Sequence, residues 1–75
     1  MYKEIFKARL KHARESAGFS QTQMAENLGI GRSTYTHWEL GNREPDIESL
    51  GKISEILDTD LSWLIGTERL HKFKS

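Results

Sequence analysis

Seventy-five residues, 36% hydrophobic and 29% charged, are enough for one small domain and leave no room for a second; a deep catalytic cleft would have to be carved from the same small core. No cysteine is present, so disulfides, thiolate metal sites and cysteine nucleophiles are excluded. Eleven cations balance eleven carboxylates, and the longest apolar run, Trp63-Leu64-Ile65, falls far short of the roughly 20 residues that span a bilayer.

Helical periodicity runs through the chain, with glycines as stops. Phe6, Leu10, Ala13 and Ala17 recur on one helical face and are expected inward, with Gly18 closing the helix. Ser20 and Gln23 have the spacing of a capping box. They open a second helix that turns Met24, Ala25 and Leu28 inward and ends at Gly29. A third helix is expected from Arg32 to about Leu40, stopped by Gly41. Asp46, after Pro45, caps a fourth with Ile47, Leu50, Ile53 and Leu57 inward; Asp60 caps a short fifth carrying Leu61, Leu64 and Ile65, halted by Gly66. Five short helices with brief connections and no strand signal predict an all-α domain over residues 1–66, followed by a basic tail, 67–75.

The net charge of zero hides a segregated distribution. Residues 1–14 carry five cations against one carboxylate, a net of +4, and residues 44–68 carry seven carboxylates against Lys52 alone, a net of −6. The tail adds +3 through Arg69, Lys72 and Lys74. Such a dipolar surface can turn a basic side to a polyanion. Lys3, Lys7 and Lys11 form a stripe on helix one whose simplest reading is a solvated face, with contacts to flanking phosphates as the alternative.

Little here suggests catalysis. His12, His37 and His71 fit no metal-ligand spacing, and Gly29-Ile30-Gly31 lacks the third glycine, preceding strand and lysine of a phosphate loop. No enzyme activity, metal or cofactor is expected. The informative stretch is 20–39, two helices about a tight turn. On a helical wheel Tyr35 and Trp38 of helix three fall on one side, while Arg32, Ser33, Thr36 and His37 share a stripe of roughly 140° on the other. A bidentate donor, two hydroxyls and an imidazole without a carboxylate form a set suited to base edges in a DNA major groove.

Ser20-Gln21-Thr22-Gln23-Met24-Ala25-Glu26-Asn27-Leu28-Gly29, continued by Trp38-Glu39-Leu40-Gly41-Asn42-Arg43-Glu44-Pro45, resembles the helix-turn-helix of the Cro/repressor (Xre-type) family of phages and bacteria. Gln21, Ala25, Gly29, Tyr35 and Trp38 match its characteristic positions, and Asp60-Leu61-Ser62-Trp63-Leu64 resembles its fifth helix. The resemblance spans about residues 5–66. It implies a five-helix, lambda-repressor-like domain that binds double-stranded operator DNA, commonly as a homodimer on a palindrome, to regulate transcription in the bacterial cytosol, with repression the expected role. It implies a phosphate contact for Gln21, base contacts for Arg32, Ser33 and His37 with Thr36 beside them, and backbone contacts for Asn42 and Arg43. Arg14 and Glu39 match the pair that ties helix one to helix three. The expected dimer contact lies near Trp63 or Phe73, among Leu61, Ile65 and Leu70. An antitoxin or a restriction–modification controller with the same fold is the alternative; no membrane or small-molecule partner is expected.

Overall fold

The computed structural model describes residues 3–68, which form five α-helices: α1 (Lys3–Ala17), α2 (Gln21–Leu28), α3 (Arg32–Leu40), α4 (Ile47–Leu57) and α5 (Leu61–Ile65). Local chemistry accounts for most of the boundaries. Ser20 Oγ accepts from the Gln23 N–H at 3.0 Å while the Ser20 N–H donates to Gln23 Oε1 at 2.8 Å, completing the expected capping box of α2. Asp46 Oδ1 accepts the Ser49 N–H at 2.8 Å and starts α4. Gly18, Gly29, Gly41 and Gly66 close their helices at positive φ. α4 instead ends on Asp58 at φ 54°, a conformation aspartate tolerates better than most side chains.

Phe6 and Leu10 of α1, Met24 of α2, Tyr35 of α3, Ile53 of α4 and Leu64 of α5 are fully buried, so every helix sends at least one large side chain to a single core. Each such burial contributes roughly 1.5–3 kcal/mol. α1 packs against α3, α4 and α5, and α2 lies between α3 and α4. No helix among the described residues is long and apolar enough to cross a membrane.

Two expected core residues are not in the core. Ile47 is 74% exposed. Leu50, Ile53 and Leu57 cluster on one face of α4, and Ile47 lies roughly 90° around the helix from the centre of that face; the neighbouring Pro45 is buried instead. Ala17 lies on the correct stripe of α1 but at its last residue, past the end of the packed layer, and is exposed. It lines an open cavity of about 520 Å³ between the end of α1 and the α4–α5 corner, with His12, Ser16, Leu57 and Trp63.

The end of α5 is anchored on α1. Arg9 Nη1 donates to the Trp63 carbonyl and to Glu68 Oε2 at 3.0 Å, and its guanidinium lies 4.9 Å from the Trp63 ring centroid. Gly66 is buried at φ 85°, where an added Cβ would stand 2.9 Å from Ile5 Cδ1. Leu70 and Phe73, expected near a dimer contact, and the tail cations lie outside the described residues, as does His71.

Candidate nucleic-acid interface

Three residues separate α2 from α3. Gly29 adopts φ 71° and its N–H caps the end of α2, the Ile30 N–H bonds the Ala25 carbonyl at 3.0 Å, and Gly31 starts α3 with no side-chain cap. This compact turn leaves α3 beside α2, with its buried side set by Tyr35 and Trp38. Their rings meet edge to face at 6.1 Å.

On the opposite stripe Arg32 and Ser33 are exposed, whereas Thr36 and His37 are half-buried. Leu40, not anticipated as part of this face, falls on the same stripe and is 57% exposed. The stripe contains no carboxylate. Gln21, the first residue of α2, is brought to its side by a hydrogen bond from Thr36 Oγ1 to Gln21 Oε1 of 2.9 Å. At the other end Asn42 and Arg43 are exposed on the α3–α4 loop, and Asn42 Nδ2 lies 3.3 Å from His37 Nδ1. Lys3 lines a shallow depression of about 340 Å³ with Asn42, Arg43 and Glu44, and an added Cβ on Gly41 would meet Lys7 Cδ at 2.9 Å. The N-terminal cations of α1 therefore flank the loop, a proximity that helical spacing within α1 does not reveal.

Behind the stripe lies a buried polar cluster. Arg14 Nε and Nη2 donate to the two Glu39 oxygens at 2.6 and 3.2 Å, and Arg14 Nη1 donates to the Phe19 carbonyl at 2.8 Å. The Tyr35 hydroxyl donates to Glu39 Oε2 at 2.6 Å, and Gln21 Nε2 donates to Glu39 Oε1 at 3.1 Å. The side chains of Arg14 and Glu39 are only 10% and 4% exposed. The pairing inferred from the resemblance is present, and Tyr35 and Gln21 extend it.

Charge in this cluster is fixed. Burial pushes the Glu39 carboxyl up, but the hydrogen bonds from Arg14 and Tyr35, the Arg14 charge and the Gln21 amide outweigh it and hold the group below the ordinary glutamate value. The Arg14 guanidinium is raised by its hydrogen bond to Glu39 against the cost of burial. Burial first, then the bond to Glu39, drives the Tyr35 hydroxyl far above the ordinary tyrosine value, so it remains a donor. Glu39 thus accepts from three side chains of three helices and joins α1, α2 and α3 beneath the exposed stripe.

The chain matches the helix-turn-helix family over residues 10–64. It is 44% identical over 68 residues to the uncharacterised HTH-type transcriptional regulator YqaE of Bacillus subtilis, covering 91% of this chain and 59% of that protein. It is 36% identical over 64 residues to the HTH-type transcriptional regulator ImmR of the same organism, covering 85% and 50% respectively. The cryptic phage CTXphi transcriptional repressor RstR of Vibrio cholerae is 35% identical over 60 residues, covering 80% of this chain and 54% of RstR. The chain thus spans about half the length of these relatives. No solved structure matches it significantly. The five-helix all-α fold, the capped turn between α2 and α3 and the match over residues 10–64 agree: the chain belongs to the helix-turn-helix family of the Cro/repressor (Xre) type.

Proposed function

We propose that this chain is the DNA-binding part of a transcriptional regulator, most simply a repressor, and that α3 enters the major groove of operator DNA. The observation that carries the reading is the carboxylate-free stripe of α3, bordered by Gln21 on one side and by Asn42, Arg43, Lys3 and Lys7 on the other. Arg32 and Ser33, exposed in the first turn of α3, read base edges, with His37 further along. Gln21, Asn42 and Arg43 hold the sugar–phosphate backbone and set the register. Three regulators of transcription among its relatives, one of them named a repressor, support the same role.

One such module buries only about 600–1,000 Å² on DNA, which is little for tight binding by a neutral chain. We infer a homodimer on a palindromic site, its two copies of α3 about 34 Å apart. Trp63, half-buried on α5 with Leu61 and Ile65, remains the proposed neighbourhood of the contact. Selection of bound sites from a random duplex pool tests both proposals: an enriched site with inverted symmetry supports them. Failure to enrich any duplex overturns the DNA reading, and an asymmetric site bound by one copy at saturation overturns the dimer.

A further inference from the structure

Thr36 lies in the outward stripe, yet its hydroxyl does not face outward unengaged. The donor directions around Gln21 follow from the chemistry of its neighbours. An ionised Glu39 carboxylate can only accept, so the atom of Gln21 at 3.1 Å from it is the amide nitrogen. The amide oxygen then faces Thr36 Oγ1 at 2.9 Å and can only accept as well, so the Thr36 hydroxyl donates its single hydrogen to Gln21. Both ends of the Gln21 carboxamide are held, and one N–H of its nitrogen is left without a partner among the described residues.

We propose that Thr36 is a positioning residue, which holds the Gln21 carboxamide with its remaining N–H presented to a DNA phosphate, rather than a reader of bases. This rests on the DNA reading above and deepens it. A free glutamine is rich in rotamers, and ordering it before DNA arrives removes that entropy cost from binding. The fixed carboxylate of Glu39, itself clamped by Arg14 and Tyr35, supplies the other half of the bracket. A phosphate contact has no base preference, so Thr36 acts equally on every duplex. It also leaves the salt dependence unchanged, since a neutral amide releases no counterion.

The test uses the whole chain, the duplex enriched from a random pool and a scrambled duplex of equal length, with fluorescence anisotropy at several salt concentrations. Thr36→Val is expected to weaken both duplexes by the same factor, about fivefold, and Thr36→Ser to restore binding. In a Gln21→Ala background Thr36→Val is expected to add nothing, because its target is gone. In the free protein, the Gln21 side-chain amide resonances should be dispersed in the wild type and shift toward the solvent-exposed position in Thr36→Val. Losses that multiply in the double variant, or a base preference that relaxes at one position, overturn the proposal and make Thr36 a reader. A wild-type chain that binds neither duplex sinks the DNA reading and this inference with it, whereas binding with independent losses sinks the inference alone.

Discussion

Removing Arg14 is the most direct perturbation of the cluster under α3. Arg14→Met keeps much of the aliphatic stem and deletes three hydrogen bonds, two to Glu39 and one to the Phe19 carbonyl. With the Glu39 side chain 4% exposed, water cannot replace them, and breaking one partner from such a pair costs about 3–5 kcal/mol. Tyr35 and Gln21 continue to donate to the carboxylate, which places the expected loss at about 3 kcal/mol. A chain of this length has a total stability of about 4–11 kcal/mol, so the variant remains folded but with a visibly lower urea midpoint. The pH dependence carries a second signature. In the wild type the lowered Glu39 pKa adds stability that is present above the ordinary glutamate range and is lost as pH falls through the native value. Without Arg14 its hydrogen bonds and charge no longer lower the Glu39 pKa, which rises relative to the wild type, so the variant loses less stability than the wild type as pH falls. The gap between the two proteins should be widest at pH 7 and shrink at acid pH. Equal urea midpoints at pH 7, or a gap that does not change with pH, would refute the reasoning.

The remaining expectations concern caps, packing and recognition. Ser20→Ala removes the acceptor for the Gln23 N–H and is expected to cost about 1 kcal/mol, a fall of about 4–8 °C in Tm by calorimetry. Gly66→Ala meets both a left-handed backbone and Ile5 Cδ1 at 2.9 Å; about 1–3 kcal/mol should be lost, and an unchanged Tm would show that Ile5 moves aside freely. Arg32→Ala should lower affinity for the enriched duplex by about 1–3 kcal/mol and relax preference at one base position per half-site. Gln21→Ala should weaken all duplexes alike, and identical base-preference profiles for the two variants would count against the separate roles.

What was legible in the sequence was chiefly local. The Ser20–Gln23 box, the Asp46 cap and the glycine stops each need only residues within one turn of each other, and each is found as read. The Ile47 error comes from extending an apolar series by residue type: three steps of the series share a face and the first does not. Ala17 shows a different limit, since a wheel gives direction but not where neighbouring helices stop. Asp58 closes α4 without the glycine that usually signals such an end. Within the candidate site the outward stripe was readable from periodicity, and the Arg14–Glu39 pair only through resemblance. The Gln21 bonds to Glu39 and Thr36 depend on how α2 and α3 meet, which no local pattern encodes, whereas the Tyr35–Glu39 bond has the i,i+4 spacing of a single helix. The anchoring of Arg9 on Glu68 joins residues 59 positions apart and was equally hidden.

These contacts divide the stripe of α3 into two halves with different freedom. Arg32 and Ser33 are exposed and make no side-chain hydrogen bond or ion pair with the described residues, so their identity can change at little expense to the fold. Thr36 is tied to Gln21, and His37 lies against Asn42 while its carbonyl accepts the Asn42 N–H at 3.0 Å. A new side chain at either position disturbs a neighbour that the proposed interface uses for the DNA backbone. In the proposed interface, sequence preference is therefore retuned from the first turn of α3 without altering the residues assigned to the DNA backbone. The Glu39 side chain, 4% exposed, accepts from Arg14, Tyr35 and Gln21, so in the proposed interface its carboxylate holds these side chains together and stands apart from the bases.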